Sequence, residues 1–334
     1  MKEGYFEHPA VSRSLLVELN KHPKNVLNQE SESSPGDAFR IGNAFDDLMY
    51  NYDMWEKIYH VYTNTPPTGK MKILTDEVIY LRKNDPWATE KEIFDKAYIA
   101  SGYQLDKEKI GDNFSKFESY VEERVENSDK VEISEKEYSL MLKMRNGIMC
   151  DPNLAKFFIA EKDHMEVKFQ LQSYWKEEVY VDEGSVEVEC KCMLDSVLID
   201  HKNKFIYPCD LKTTGFSVYS FPKSYYKFQY YLQAGMYTQG VKEWAKTEGL
   251  GDYHVDSFKF IVAEKNAYNP PLMYTVSEND LHRSLTGFVK HGRFHKGFKQ
   301  LLSEYVWHNK HDLWEHPKDV YDNKRNLILD LDEC

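Results

Sequence analysis

Residues 186–215 read VEVECKCMLDSVLIDHKNKFIYPCDLKTTG, and residues 225–237 follow as YYKFQYYLQAGMY. In the first segment Val186, Val188, Cys190, Cys192 and Leu194 alternate with polar residues. That is the period-2 pattern of a half-buried strand. Asp200 to Lys204 is polar and predicts a hairpin loop, with Phe205–Leu211 as the return strand. Successive side chains on a strand point to opposite faces, so Asp210 and Lys212 share one face and Leu211 points away. Asp195, late on the first strand, can come opposite Asp210. Two carboxylates and an ammonium then meet at one spot.

Two carboxylates form a hard, oxygen-rich site suited to Mg²⁺ or Mn²⁺. A neighbouring lysine can position a water and neutralise charge on a phosphate. Metal, water and lysine together meet the needs of phosphodiester hydrolysis. The competing reading of an isolated Asp-x-Lys is a solvated hairpin with ordinary surface charges. The segment that follows separates the two readings. Pro222 to Trp244 predicts one helix, with Pro222 in its first turn. Gln233 and Tyr237 are four residues apart and share a face, with Gln229 and Tyr226 one and two turns earlier. Phe228, Leu232 and Met236 lie on the other side.

Asp195, Asp210-Leu-Lys212 and Gln233-Ala-Gly-Met-Tyr237 together resemble the PD-(D/E)XK nuclease superfamily. Within it they are similar to the RecB-like and RecE-like exonucleases (exonuclease VIII type), whose last motif is Gln-x-x-x-Tyr on a helix after the catalytic strand. Phe39-Arg-Ile-Gly42-Asn-Ala-Phe-Asp46 resembles the first motif of that family, Gly-x-x-x-His at a helix start. The histidine position holds Asp46, which can ligate a metal but favours harder cations. The resemblance covers about residues 10–50 and 164–240. It implies an α/β fold: a central mixed β-sheet flanked by helices, a restriction-endonuclease-like core, with a helical N-terminal region and a helical insertion. It also implies that Asp195, Asp210, Asp46 and the Leu211 carbonyl hold Mg²⁺ or Mn²⁺, that Lys212 orients the water, and that Gln233 and Tyr237 contact the scissile strand or brace the site. The expected activity is exonucleolytic degradation of duplex DNA ends in phage-type recombination. A single-strand annealing protein is an implied partner, besides DNA itself. Two alternatives stand beside this one: a structure-specific endonuclease on the same scaffold, and a catalytically degenerate DNA-binding accessory protein.

The chain has 334 residues, 41% hydrophobic and 29% charged, and reads as one nuclease domain: N-terminal helices over 1–62, an insertion over 63–150, the catalytic core over 151–300 and a tail over 301–334. Ser12 predicts an N-cap for a helix from Arg13, with Leu15, Leu16 and Leu19 on its buried face. Thr89-x-x-Glu92 and Ser134-x-x-Glu137 predict capping boxes in the insertion. Residues 164–181 alternate as a strand, and Tyr253–Ala263 reads as another. Glu166, Glu187 and Glu189 are candidate outer carboxylates, with plain sheet positions as the alternative.

The net charge of −12 argues against nucleic-acid binding by bulk attraction but leaves room for a local basic groove. Arg283, Lys290 and Arg293 belong to such a run, the acid-free helical stretch Leu281–Lys299, which can follow a phosphate backbone; the alternative is an amphipathic helix with a basic solvated face. With Gln229, Gln233 and Tyr237 they are the candidate DNA contacts. There is no Gly-x-x-x-x-Gly-Lys-Ser/Thr loop for a motor, no apolar stretch of membrane-spanning length and no visible secretory leader. The five cysteines are scattered, which suggests a reducing compartment; the family resemblance implies the cytoplasm of a bacterium or phage-infected host. The cysteine spacing offers no iron–sulfur cluster. The acidic tail LILDLDEC reads as an edge or interface segment, which is compatible with a homo-oligomer.

Overall fold

The structure is a computed structural model that describes residues 4–27, 37–182 and 184–326, without the side chains of 37–39. The chain forms two compact units, Met1–Tyr50 with Leu142–Cys334, and Asn51–Met141.

In the first unit α1 (Arg13–Lys21) starts where expected, with Ser12 Oγ accepting the Leu15 N–H at 3.3 Å. Its buried face is Leu16, Val17 and Leu19. After the short α2 (Lys24–Leu27) comes α3 (Asp37–Tyr50), which buries Ala44, Phe45 and Leu48. Gly42 and Asp46 therefore lie in the body of α3, not at a helix start as the motif suggested. The sequence breakers Pro35 and Gly36 stand just ahead of Asp37, and nothing between 37 and 50 interrupts a helix.

The second unit holds α4 (Tyr52–Ile58), β1 (Tyr59–Tyr62), α5 (Gly69–Asn84), α6 (Glu90–Ala100), α7 (Lys107–Phe114), α8 (Glu118–Glu126), β2 (Val131–Ser134) and the first half of α9 (Glu135–Met149). The apolar faces of α5 to α8 close on a core that includes Leu74, Val78, Ile93, Ala97, Ile110 and Val121. β1 and β2 pair in parallel, from Tyr59 with Val131 to Tyr62 with Ser134. Both predicted capping boxes form: Thr89 and Glu92 exchange hydrogen bonds, as do Ser134 and Glu137.

The first unit resumes with α10 (Pro152–Ala155), then β3 (Met165–Val181), β4 (Gly184–Asp200) and β5 (Phe205–Thr214). α11 (Phe221–Lys227) and α12 (Tyr230–Thr247) lead to β6 (His254–Val255), β7 (Lys259–Glu264) and β8 (Leu272–Thr275). The sheet runs β3-β4-β5-β7-β8, with β6 beside the start of β5. β3, β4 and β5 form an antiparallel meander through the predicted turn at His201–Lys204. β5 and β7 are parallel, and α11 with α12 form the crossover that parallel pairing requires. The sheet is therefore mixed. α12 packs against β3, β4 and β5, while Gly42 of α3 lies beside Thr213, on the strand face opposite Asp210 and Lys212. Helices thus cover the sheet on both faces. The core includes Cys190, Cys192 and Leu194, all fully buried as their alternation predicted.

Three predicted elements are broken in the structure. The helix expected over 222–244 is two helices, because Gln229 takes a left-handed φ of 54° between them. The strand expected over 253–263 is β6 and β7, separated by Asp256–Phe258. The basic run 281–299 is not one helix. α13 (Glu278–Thr286) stops at Gly287, whose φ of 80° suits glycine, and a hairpin of β9 (Phe288–Lys290) and β10 (Arg293–His295) follows around His291-Gly292. α14 (Phe298–His311) and α15 (Lys318–Asp322) complete the unit, and Trp307 and Trp314 are buried in its core. The acidic segment 327–334 lies outside the described residues. No helix among the described residues is long and apolar enough to cross a membrane.

Candidate active site

β4 and β5 pair from Asp200 with Phe205 up to Ser196 with Cys209, and there the ladder stops. The next residues in register are Asp195 and Asp210. In place of a ladder bond, Asp195 Oδ2 accepts the Leu211 N–H at 2.8 Å. The two strands part at the two carboxylates. On the other side of β4, the β3 residue in register with Asp195 is Gln170, with a left-handed φ of 48°. A non-glycine residue in that conformation costs about 1–3 kcal/mol, and such strain collects at functional sites.

Asp210 is buried, 2% exposed, so its partners define it. Its Oδ1 accepts from Gln233 Nε2 at 2.5 Å, and its Oδ2 is ion-paired with Lys212 Nζ. Gln233 comes from α12, so the crossover helix braces the strand that precedes it. The Lys212 ammonium also lies 5.2 Å from the centre of the Tyr230 ring. Burial alone would lower the Lys212 pKa. Asp210 and Asp195 outweigh that effect, and the pKa is raised. Lys212 is therefore an ammonium at neutral pH.

Asp195 has the opposite problem. Burial raises its pKa first, then the like charges of Asp210 and Asp46, and the result lies well above the usual aspartate range. Lys212 and the Leu211 N–H oppose that shift without cancelling it. The structure thus places Asp46, Asp195, Asp210, Leu211 and Lys212 in one electrostatic neighbourhood. Asp210 and Asp195 act on the one ammonium, and Asp46 acts on Asp195. This donor set fits a hard divalent cation in chemistry and in charge. It is not a preformed cage: among the described residues no three of His, Cys, Asp or Glu stand close enough to hold a metal. The Asp210 carboxylate is turned onto Lys212 and Gln233, and Asp195 onto Leu211.

Other predicted residues are placed differently. Tyr237 packs edge-on against Phe258, with ring centres 6.3 Å apart, and burial is the main cause of its raised hydroxyl pKa, with Asp210 a smaller one. Gln229, at the break between α11 and α12, accepts from Asn20 Nδ2 at 2.8 Å. Arg283 is exposed on α13, 3.8 Å from Asp280, and Lys290 and Arg293 sit on the β9–β10 hairpin. Glu166 pairs with Lys168 and His201, and Glu187 with Lys176, so both are surface ion pairs away from Asp195.

The motif reading missed two neighbours. Tyr50 is buried, and its hydroxyl has no hydrogen-bond partner among the described residues. Its pKa is raised well above the ordinary value by burial first and then by Asp195 and Asp46. Gly42, Asp46 and Tyr50 are spaced by four along α3, so one helix face carries all three. That spacing was the available signal. Arg13 also lies near the Tyr230 ring, 5.6 Å from its centre, and donates to the Phe228 carbonyl. Its place in Ser12-Arg13-Ser14-Leu15, a stretch that resembles the family's Ser-rich helix, was the available signal.

A mixed sheet whose strands part at two aspartates, with a lysine two residues on and a glutamine from the crossover helix, is the fold and motif set of the PD-(D/E)XK nuclease superfamily. Residues 82–304 match the family model of a PDDEXK-like domain of unknown function (DUF3799), and the chain belongs to that family. The match includes Asp195, Asp210, Lys212 and Gln233, and leaves out Asp46 and Tyr50. No curated protein matches the chain. Among solved structures, a candidate exonuclease from Eubacterium rectale aligns over 98% of this chain and 92% of its own, at 12% identity and a TM-score of 0.45. SSO0001 aligns over 73% of this chain and 80% of its own, at 11% identity and a TM-score of 0.22. The fold assignment leans on neither.

Proposed function

We propose that the protein is a metal-dependent deoxyribonuclease that degrades duplex DNA from an end. The observation that supports this most is the parting of β4 and β5 at Asp195 and Asp210, with Lys212 on the Asp210 face. Where the ladder ends, three groups of use to phosphodiester hydrolysis converge.

The proposed division of labour is as follows. Asp195 and Asp210, with Asp46 and the Leu211 carbonyl, would hold Mg²⁺ or Mn²⁺. When bound, the ion supplies an activated water and charge neutralisation at the phosphate. Lys212 is kept protonated by its carboxylate neighbours, so it acts as a donor and not as the base. Its Nζ–H groups orient the attacking water and stabilise charge on the phosphate oxygens. Gln233 fixes one oxygen of Asp210, which leaves the other to face Lys212 or an ion. Leu211 N–H does the same for Asp195. Both carboxylates are then held in orientation before substrate arrives.

A nuclease assay on linear and circular duplex DNA, with Mg²⁺ and with EDTA, tests this. Cleavage of the linear form in Mg²⁺ is expected, with none in EDTA. Cleavage of the circle at an equal rate replaces the exonuclease reading with an endonuclease. No cleavage of either rejects the reading altogether.

A further inference from the structure

Acidic residues outnumber basic ones in this chain, 55 to 43. Yet none occurs from Leu211 to Lys242, and none from Leu281 to Ser303. The fold brings these two acid-free segments together. Lys290 Nζ of the hairpin lies 3.8 Å from the ring centre of Tyr226 on α11. The Tyr226 hydroxyl and His295 Nε2 are 2.6 Å apart. The Tyr231 and Phe288 rings meet edge to face, with centres 5.2 Å apart. The same stretch of chain places Tyr230 over Lys212, so this surface adjoins the catalytic lysine.

Two features of the surface point to its ligand. The first is charge. Lys223, Lys227 and Lys290 are exposed and make no ion pair among the described residues. The second is exposed ring surface. Phe216 and Tyr219, in the loop that leaves β5, are each 69% exposed, and Phe294 on the hairpin is 56% exposed. Between α11, α13 and the hairpin is a cavity of about 280 Å³, walled by Tyr225, Tyr226, Tyr231, Arg283, Phe288 and Lys290, with Asp280 as its one acidic residue, 3.8 Å from Arg283. The Tyr225 hydroxyl in that wall is buried and has no hydrogen-bond partner among the described residues.

We infer that the face built by the 215–220 loop, α11 and the β9–β10 hairpin is a track for single-stranded DNA beside Lys212. Cations along a groove answer the phosphates, and exposed rings answer the faces of unpaired bases. A duplex satisfies only the first requirement, because its base faces are already stacked. An acidic peptide likewise leaves the rings unused. The inference rests on the nuclease reading above for the identity of the polymer. It adds that the substrate is unpaired where it meets this face.

Fluorescence anisotropy with a labelled oligothymidylate, in Ca²⁺ to suppress cleavage, tests the track. A closed circular duplex, which offers no end, and poly-glutamate serve as competitors. The wild type is expected to prefer the single strand to both. Phe294→Ala and Phe216→Ala are each expected to weaken its binding about fivefold or more, the scale of losing one stacked base. Lys227→Glu with Lys290→Glu is expected to weaken it further. All four positions are exposed, and circular dichroism checks that the variants fold. Unchanged affinity in the aromatic variants overturns the track, as does equal competition by the duplex or by poly-glutamate. The nuclease assay on the wild type runs beside it. If linear DNA is cut while the variants bind normally, the track falls and the nuclease stands. If nothing is cut while the variants lose the single strand, the track stands and the nuclease falls.

Discussion

Lys212 does two jobs, and substitution separates them. It neutralises buried Asp210, and it presents a charged donor to the opening between β4 and β5. Lys212→Met is expected to slow single-turnover cleavage about a hundredfold, the scale of one positioned catalytic group. It is also expected to lower the Tm of the metal-free protein, since Asp210 is left as an uncompensated buried charge. Lys212→Arg keeps the charge but not its position, so it should recover more of the Tm than of the rate. An unchanged single-turnover rate in the methionine variant removes lysine from the mechanism. Asp195 behaves oppositely. Its folded pKa is raised, so in the window above the ordinary aspartate value the native state holds more protons than the unfolded chain. Stability of the metal-free protein therefore falls as pH rises through that window. Asp195→Asn keeps an acceptor for Leu211 and removes the penalty. Its Tm is expected to exceed wild type by about 2 °C or more near neutral pH, roughly 1 kcal/mol in a chain of this size. The difference should vanish towards about pH 4, where aspartate in the unfolded chain takes up its proton. Melts across pH in EDTA measure this, and a constant difference contradicts it. Tyr50 carries a third expectation. An unpartnered buried hydroxyl costs about 1–3 kcal/mol, so Tyr50→Phe should raise the metal-free Tm. A fall would show that the hydroxyl has a stabilising role in the empty site.

Among the elements, α12 positions the most chemistry, and its seat on the sheet explains how. A Cβ at Gly240 would come within 2.4 Å of Cys192 Sγ and 2.9 Å of Trp175. Ser173 Oγ also donates to the Gly240 carbonyl at 2.8 Å. Glycine lets the helix approach β3 and β4 this closely, and the approach sets where Gln233 and Tyr230 arrive two turns and more earlier. Gly240→Ala should destabilise by about 1–3 kcal/mol through overpacking. Thermal melts measure that loss, and the cleavage rate should fall with it as Gln233 loses its register against Asp210. A Tm equal to wild type would mean that the helix shifts at no cost.

On the scale of the whole molecule, a chain of net charge −12 must concentrate cations locally to hold a polyanion. Single-strand affinity should therefore fall with rising salt, by about 0.7 log units per log unit for each phosphate engaged. Neutralising Lys223, Lys227 and Lys290 together should reduce that slope by about 2. Titrations at several salt concentrations give the slope directly. An unaltered slope would place the phosphate contacts elsewhere on the surface.

Much of the core and site was legible before any coordinates. The hairpin of β4 and β5, the burial of Cys190 and Cys192, the Ser12 cap and the boxes at Thr89 and Ser134 follow from local rules. They depend on side-chain alternation and on hydrogen bonds between residues a few positions apart, which sequence displays directly. The neighbourhood of Asp195, Asp210 and Lys212 was readable for the same reason, since strand register and two-residue spacing place it. What breaks the elements was not readable. Gln229 leaves the helical region although its neighbours are helix-compatible, and the bond from Asn20 far along the chain holds it there. The basic run folds into a hairpin because Gly287 and Gly292 admit positive φ where Phe288 can pack on Tyr231 of α12 and Phe294 on the glycine turn. Tyr50 and Arg13 enter the site from helices remote in sequence. Local spacing determined the strands, the caps and the charged pair, because those interactions close within a few residues. Only tertiary structure decided where the ladder parts, which helix breaks and which distant side chains face the carboxylates, because those outcomes minimise the packing and electrostatic energy of segments that sequence order keeps apart.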